Sequence, residues 1–528
     1  MRLEHYISDK DELCMKNQRW MLPMLLILLC LTQGAFTAYG QEKAMTPKIY
    51  TSQPGEFNSA GPIELLVGKS LMQSPAAYQP LVSWLKDSNG LNLGAVELSN
   101  ELPSTPSIVV GLVHDSHALQ QVYKDSEAQL PAGGLGSEGY ILEVTSKRIT
   151  LVAEKPAGIF YGALELLELN SAASPGLNIQ AGTSIDWPTM HWRGLHVSIS
   201  SREDLPAVEN LITTMMPRYR LNQLILQVDY HYQFKTHPEM AESDGLTFQD
   251  CQHLTQLARE NFIRITPMID CLGHQSWAGH TGKLLREHPE FDETPNYPAD
   301  NKGIYCRSWC PSNPAVYKVV DDLIGELVDA FDANSFNVGM DEVFILGECP
   351  LCKGTPNDVL FARAVNHLHD YIVGKRKLQM MMWGDRLLDG NKTGYGEWEA
   401  STNGTAPAIN LIPKDIILCD WHYEEEYDGK PATYPSVSDF ENEGFRVWPA
   451  GWNSKRAVKL LTGVSLATHS KLMMGYLAST WIGVQSVDAG LKGEASAVND
   501  TGTMAVVNAL IEGAEIAWQG SSKDSVKL

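Results

Sequence analysis

From about residue 187 onward, short apolar runs rich in β-branched residues alternate with longer stretches whose apolar residues recur every three or four positions. The short runs read as strands: Arg193–Ser198, Gln223–Val228, Ile263–Ile269, Ser335–Val338, Gln379–Trp383, Ile416–Cys419, Phe445–Trp448 and Met473–Ser479. The longer stretches read as helices, among them Pro206–Tyr219, Gln249–Asn261, Pro314–Phe331, Asp358–Val373 and Lys455–Ser470. Eight such units predict an α/β fold, a (β/α)8 TIM barrel over residues 186–528. A doubly wound sheet would alternate in the same way. No Gly-rich phosphate loop follows the first strand, which counts against a nucleotide-binding fold. Upstream, strand-like runs at Ser107–Val113, Gly139–Val144 and Ile149–Ala153 precede an amphipathic helix at Ala157–Leu169. They predict a small α+β domain over 46–185 with no polar cluster of catalytic character.

A barrel places its active residues at the C-terminal ends of its strands. The polar and aromatic residues of this chain fall there. The second strand ends in Asp229-Tyr230-His231 and the third in Asp270-Cys271-Leu272-Gly273-His274. The fourth ends in Gly339-Met340-Asp341-Glu342, the fifth in Trp383-Gly384-Asp385, the sixth in Asp420-Trp421-His422-Tyr423 and the eighth in Thr480-Trp481. Packing alone does not predict such clustering at one end.

Charge and composition narrow the partners. A formal net charge of -22 argues against nucleic acid and against an anionic membrane surface, and it suits a neutral substrate. Thirteen Trp residues suit sugar platforms, although most Trp residues in proteins are core. Near the N-terminus, Lys16 and Arg19 precede an apolar run from Trp20 to Leu31, and small residues around Ala38 and Gly40 follow. That order predicts a signal peptide over 1–40, hence an exported, periplasmic or extracellular protein without a stable membrane partner. An uncleaved anchor is the alternative reading, and Met15 and Met21 are alternative starts. Among the nine Cys, Cys306 and Cys310 form one close pair and Cys349 and Cys352 another. Disulfides and a structural zinc site both fit such pairs. No cofactor is expected, and the oligomeric state is not encoded in any pattern found.

Asp341 and Glu342 are the sharpest chemical feature. Neighbouring strand residues point to opposite faces, but a turn at the strand end brings both carboxylates to one pocket. Glycoside hydrolysis needs a carboxyl group kept protonated as an acid, and a neighbouring carboxylate raises its pKa. An acidic dipeptide capping the following helix is the bland alternative.

Asn337-Val338-Gly339-Met340-Asp341-Glu342-Val343 resembles the Gly-Gly-Asp-Glu signature of family 20 glycoside hydrolases, the β-N-acetylhexosaminidases. Gly139–Glu143 through Ala157–Gly162 is similar to that family's non-catalytic N-terminal domain. Asp186-Trp187-Pro188 through Trp192-Arg193-Gly194-Leu195 resembles its first barrel strand. Pro267–Asp270 through Gly273-His274 resembles the third strand, and Cys310-Pro311-Ser312-Asn313-Pro314 the approach to the helix before the Asp-Glu strand. The order of these motifs is far more specific than any one of them.

The resemblance implies a retaining exo-hydrolase of terminal β-linked GlcNAc or GalNAc, acting on a glycan or amino-sugar oligosaccharide. The substrate's own acetamido oxygen would attack the anomeric carbon to form an oxazolinium ion, an exception to the two-carboxylate scheme. Glu342 would be the acid and then the base, and Asp341 would orient the acetamido group. His274 matches the histidine that bonds the acid, with Asp229 the candidate to orient it. Arg193 matches the arginine that grips sugar hydroxyls. Trp383, Trp421 and Trp481 would wall the acetamido pocket, and Tyr423 would hold the acetamido oxygen. Two positions depart from the family. Met340 replaces the second Gly and is expected to narrow or reshape the site. Gly483 stands where many members place a Glu for the outer hydroxyls, a role for which Asp385 or Glu397 is the substitute at hand.

Two other readings remain. One is a non-catalytic or altered-specificity carbohydrate-binding barrel. The other is a hydrolase using a plain two-carboxylate route.

Overall fold

In the computed structural model the described residues are 45–521, apart from 60–62, 90–94, 100–104, 171–176 and 278. The expected export signal lies outside the described residues. Among the described residues no helix is long and apolar enough to cross a membrane.

Residues 49–186 build a seven-stranded mixed sheet. Its order is Ile49–Ser59, Leu177–Asp186, Tyr140–Val144, Arg148–Ala153, Ser107–Leu112, Glu64–Val67 and Val96–Glu97. Ser107–Leu112 is buried at every position. It lies between two parallel neighbours, and a parallel strand is covered on both faces. Ile108 and Val110 pack on the side of the helix Pro156–Leu169, with Ile159, Phe160 and Leu166. Val109 points the other way, onto Leu119 of the helix His117–Ser126. The strands at both sheet edges, and helix His117–Ser126, lack the pattern that marked the central hairpin, so sequence periodicity did not reveal them.

The second half closes into an eight-stranded parallel barrel. Its strands, in chain order, are Trp192–Ser198, Gln223–Gln227, Arg264–Cys271, Ser335–Gly339, Gln379–Trp383, Ile417–Trp421, Arg446–Gly451 and Gly475–Ser479. All eight runs expected from the sequence are strands. The third, sixth and seventh continue past the apolar segment to Cys271, Trp421 and Gly451. These ends, Asp270-Cys271, Asp420-Trp421 and Pro449–Gly451, still pair with neighbouring strands, which hydrophobic patterning does not register.

The barrel interior is filled by Trp192, Ile225, Met268, Met381, Trp383, Trp448 and Leu477, with neighbours from the same strands. Gly194 is required there: a Cβ would lie 2.2 Å from the Trp448 ring. The outward-facing strand residues pack under the surrounding helices in one continuous core that also runs into the N-terminal sheet.

Candidate active site

The turn at the end of the fourth strand is left-handed. Gly339, Met340 and Glu342 have φ of 65°, 75° and 49°. Only glycine fits at 339, where a Cβ would lie 2.0 Å from Asp270 Oδ1. Met340 is fully buried in the core and holds a φ of 75° in this turn. The turn breaks strand alternation, and Asp341 and Glu342 meet at one side chain. His274 Nε2 lies 3.3 Å from Asp341 Oδ2 and 3.1 Å from Glu342 Oε2. His274 itself has φ 52°, and Leu272 φ 64°, so the third strand ends in a similar turn. Burial by itself would lower the His274 pKa. The Asp341 charge and hydrogen bonds to Asp341 and Glu342 outweigh it and hold the imidazole well above its ordinary 6.5.

Behind this triad lies a second layer of carboxylates. Gln227 Nε2 donates to Asp229 Oδ2 at 2.9 Å and to Asp270 Oδ2 at 2.8 Å. Asp229 Oδ1 accepts from the Asp270 backbone N–H at 2.9 Å. Asp229 was expected to orient His274; its hydrogen bonds instead fix the end of the third strand, because its own φ of 46° turns it toward that backbone. Burial first, then the Asp341 and Asp229 charges, push Asp270 well above the usual carboxylate range. Asp385 Oδ2 accepts from the Glu342 backbone N–H at 3.0 Å and from Arg386 Nε at 2.6 Å. It is buried and braces Glu342, which corrects the expectation of a contact to outer sugar hydroxyls. Glu397 is exposed on a neighbouring helix.

Aromatic side chains from the ends of three strands line the space beside Asp341. Trp383 is fully buried, and its ring stands 5.8 Å from that of Trp481. Trp421 stacks on Tyr423 at 4.9 Å. Trp481 Nε1 donates to the Tyr423 hydroxyl at 2.7 Å, and Ser479 Oγ lies 3.2 Å from that hydroxyl. Ser479 donates its own proton to the Gly451 carbonyl, so Tyr423 is the donor to Ser479. The loop carrying Tyr423 is fixed from below. Glu399 Oε1 accepts from the Tyr423 backbone N–H at 3.1 Å, and Glu399 Oε2 lies 2.8 Å from His422 Nδ1. Asp420 and Ser436 meet the other ring nitrogen. Burial opposes the charge on His422, but Asp420 and Glu399 prevail and raise it to about 10.

Arg193 is not part of this site. It is the second residue of the first strand, at the opposite end of the barrel from Asp341. The guanidinium is fully buried and pairs bidentately with Glu138 of the N-terminal domain at 2.8 and 3.1 Å. Nε donates to the Arg220 carbonyl, Nη1 also shares its protons with the carbonyls of Met190 and His191, and the Trp518 ring lies 4.9 Å away. Position along a strand decides this: the motif fixed the strand, but its second residue belongs to the barrel floor.

Several residues at the site carried no earlier signal. His196 is fully buried, 4.7 Å from the Trp481 ring and 5.7 Å from Trp383. Its Nε2 lies 3.1 Å from Gln227 Oε1, which accepts, so Nε2 carries the proton. Burial lowers it to about 4 and keeps it neutral. Tyr305 packs edge-on to His274 and Trp277 from a loop without regular structure. Only Asp270 was legible in principle, as a third carboxylate in the strand-end strings. Gly483 faces open space, with nothing within 4 Å of a Cβ there.

Residues 191–486 match the sequence model of the glycosyl hydrolase family 20 catalytic domain, and residues 47–187 match that of the same family's domain 2. A beta-hexosaminidase of Porphyromonas gingivalis is 22% identical over 363 residues, covering 60% of this chain and 44% of that protein. A lacto-N-biosidase of Bifidobacterium bifidum is 22% identical over 379 residues, 66% of this chain and 32% of that protein. The chain thus spans less than half the length of these two relatives. Among solved structures, the β-N-acetylhexosaminidase of Bacteroides fragilis superposes with a TM-score of 0.65 at 15% identity, covering 92% of each chain.

Proposed function

The chain belongs to glycosyl hydrolase family 20, and from that premise we propose that it is a retaining exo-β-N-acetylhexosaminidase that removes terminal β-linked GlcNAc or GalNAc. The observation that carries the reading is the convergence of Asp341 and Glu342 on His274 at the end of the fourth strand.

In this mechanism the two carboxyl groups have different tasks. Glu342 gives its proton to the glycosidic oxygen as the bond to the anomeric carbon breaks. The substrate's acetamido oxygen attacks that carbon from the opposite face, forming a cyclic oxazolinium ion. Asp341 accepts a hydrogen bond from the acetamido N–H and stabilises the positive charge that grows there. Glu342, now a carboxylate, takes a proton from water as water opens the ring, and the configuration is retained. His274, 3.3 Å from Asp341 and 3.1 Å from Glu342, fixes the positions of both groups. Tyr423 turns its hydroxyl proton from Ser479 to the acetamido oxygen, and Trp383, Trp421 and Trp481 exclude water from the acetamido methyl. We further propose that the protein is exported, on the charged, apolar, small-residue order of residues 1–40.

Hydrolysis of a chromogenic β-GlcNAc glycoside by wild type, Glu342→Gln and Asp341→Asn tests the reading. Activity in wild type and its loss in both variants is expected; a wild type inert on GlcNAc and GalNAc glycosides alike overturns it. A thiazoline mimic of the oxazolinium is expected to inhibit strongly. Indifference to it points instead to a two-carboxylate route, for which carboxyl groups about 5 Å apart would serve.

A second reading, a carbohydrate-binding barrel of altered specificity, rests on the open space at Gly483. Substrates extended at the outer hydroxyls would fit there, and comparing them with simple GlcNAc glycosides separates the readings.

A further inference from the structure

Three of the four paired cysteines come together, and the fourth does not. Cys310 Sγ lies 3.2 Å from Cys349 Sγ and 3.5 Å from Cys352 Sγ. A carboxylate oxygen of Glu293 joins them, and all four ligand atoms lie within 4.8 Å of one another. Every one of these residues is buried. Cys306 points elsewhere, its Sγ 3.3 Å from the Glu342 carbonyl oxygen.

We propose that Cys310, Cys349, Cys352 and Glu293 bind a structural zinc ion that fastens the loop after the fourth barrel strand to the loop after the third. The donor set is three soft thiolates and one carboxylate, which suits a closed tetrahedral zinc site. Zinc–sulfur bonds of about 2.3 Å place the sulfurs of such a site about 3.8 Å apart. The separations here are well beyond the roughly 2.05 Å of a disulfide and close to the tetrahedral edge. A disulfide would also use only two of the three thiols.

The backbone is arranged for the same task. Cys349 and Cys352 are spaced C-x2-C on a tight turn, in which the Cys352 and Lys353 N–H groups donate to the Cys349 carbonyl at 3.1 and 2.9 Å. Glu293 Oε1 is anchored by the Gly347 and Glu348 N–H groups at 2.6 and 3.0 Å. Glu293 Oε2 is buried with no hydrogen-bond partner, a costly state for a carboxylate oxygen beside three thiols and one that a bound cation relieves. The two loops so joined carry His274 and Glu342 within three residues of their starts. The ion would thus tie together the two chain segments that run on from the site, without a part in the chemistry.

Metal analysis of the full chain, purified without chelators from zinc-containing medium, tests this. About one zinc per chain is expected, released by a thiol-specific mercurial and detected with a chromogenic chelator. Cys352→Ser and Glu293→Gln should each lower the zinc content severalfold, while Cys251→Ser, on a distant helix, should leave it unchanged. A strong zinc chelator should lower the wild-type Tm by several degrees, and added zinc should restore it. Wild-type metal content decides the matter even if the variants fail to fold. A metal-free chain whose intact mass is 2 Da low, indicating a disulfide, overturns the proposal. So does a chain with all thiols free that takes up no zinc, or one that holds iron or copper instead.

Discussion

Asp385 accepts a hydrogen bond from the backbone N–H of Glu342 at 3.0 Å, so a residue just beyond the fifth strand fixes the main chain just beyond the fourth. Glu342 has φ 49°, a conformation that needs such support. Asp385→Ala is expected to lower kcat by about 10–100-fold with a smaller change in KM, since a displacement of about 1 Å at a reacting group costs on that order. Asp385→Asn, which keeps an acceptor, should recover part of the loss. Equal effects of both variants on KM alone would show that Asp385 meets the sugar.

Glu342→Gln should cost roughly 10²–10⁴ in kcat on glycosides with poor leaving groups. The loss in the first step should be much smaller on a dinitrophenyl glycoside, whose leaving group needs little protonation. A loss independent of the leaving group would remove Glu342 from the role of acid.

Tyr423→Phe removes the hydroxyl that accepts from Trp481 and donates to Ser479. A fall of about 10–100-fold in kcat is expected, because the acetamido oxygen loses its aim. Inhibition by the thiazoline should weaken in parallel, and unchanged inhibition would place the hydroxyl away from the acetamido group.

Arg193→Gln tests the assignment of Arg193 to the barrel floor. Removing it strands Glu138 as a buried charge, which costs about 3–5 kcal/mol. A large drop in the denaturant midpoint with an unchanged KM is expected. An unchanged midpoint with a raised KM would return Arg193 to the sugar.

His196 gives the stability a defined pH dependence. Burial lowers its pKa from 6.5 to about 4, so the unfolded chain binds a proton between these values and the folded chain does not. Its contribution is therefore present above pH 6.5 and is lost as the pH falls toward 4. The contribution is on the order of 3 kcal/mol. In thermal melts, the wild type should lose more Tm than His196→Gln across this window; parallel curves would show a solvated imidazole.

The barrel was legible because each strand is a short apolar run and each helix has its own period. The chemistry at the strand ends was legible as residue type, and the ends of the third, fourth and sixth strands do carry His274, Asp341, Glu342 and Tyr423. What escaped was direction. Arg193 lies on the right strand but at its other end. Asp229 and Asp385 lie at strand ends beside the site, but each accepts from a backbone N–H group that no pattern marks. His196 and Tyr305 enter from positions that look like core and loop. Three cysteines and Glu293 meet across loops, and their sequence spacing says nothing of which would be left out.

The left-handed turns at Leu272, His274, Met340 and Glu342 have one more consequence. Each holds an L-residue in a region that costs about 1–2 kcal/mol. The free energy of shaping these strand tops is thus met when the chain folds and need not be met again when a sugar arrives. A rigid, already cyclised ligand gains most from such a surface, because neither partner has freedom left to lose. On the proposed route a flexible glycan surrenders its own conformational entropy on arrival, so a preference for the ring-closed species over its open precursor would be established before either one binds.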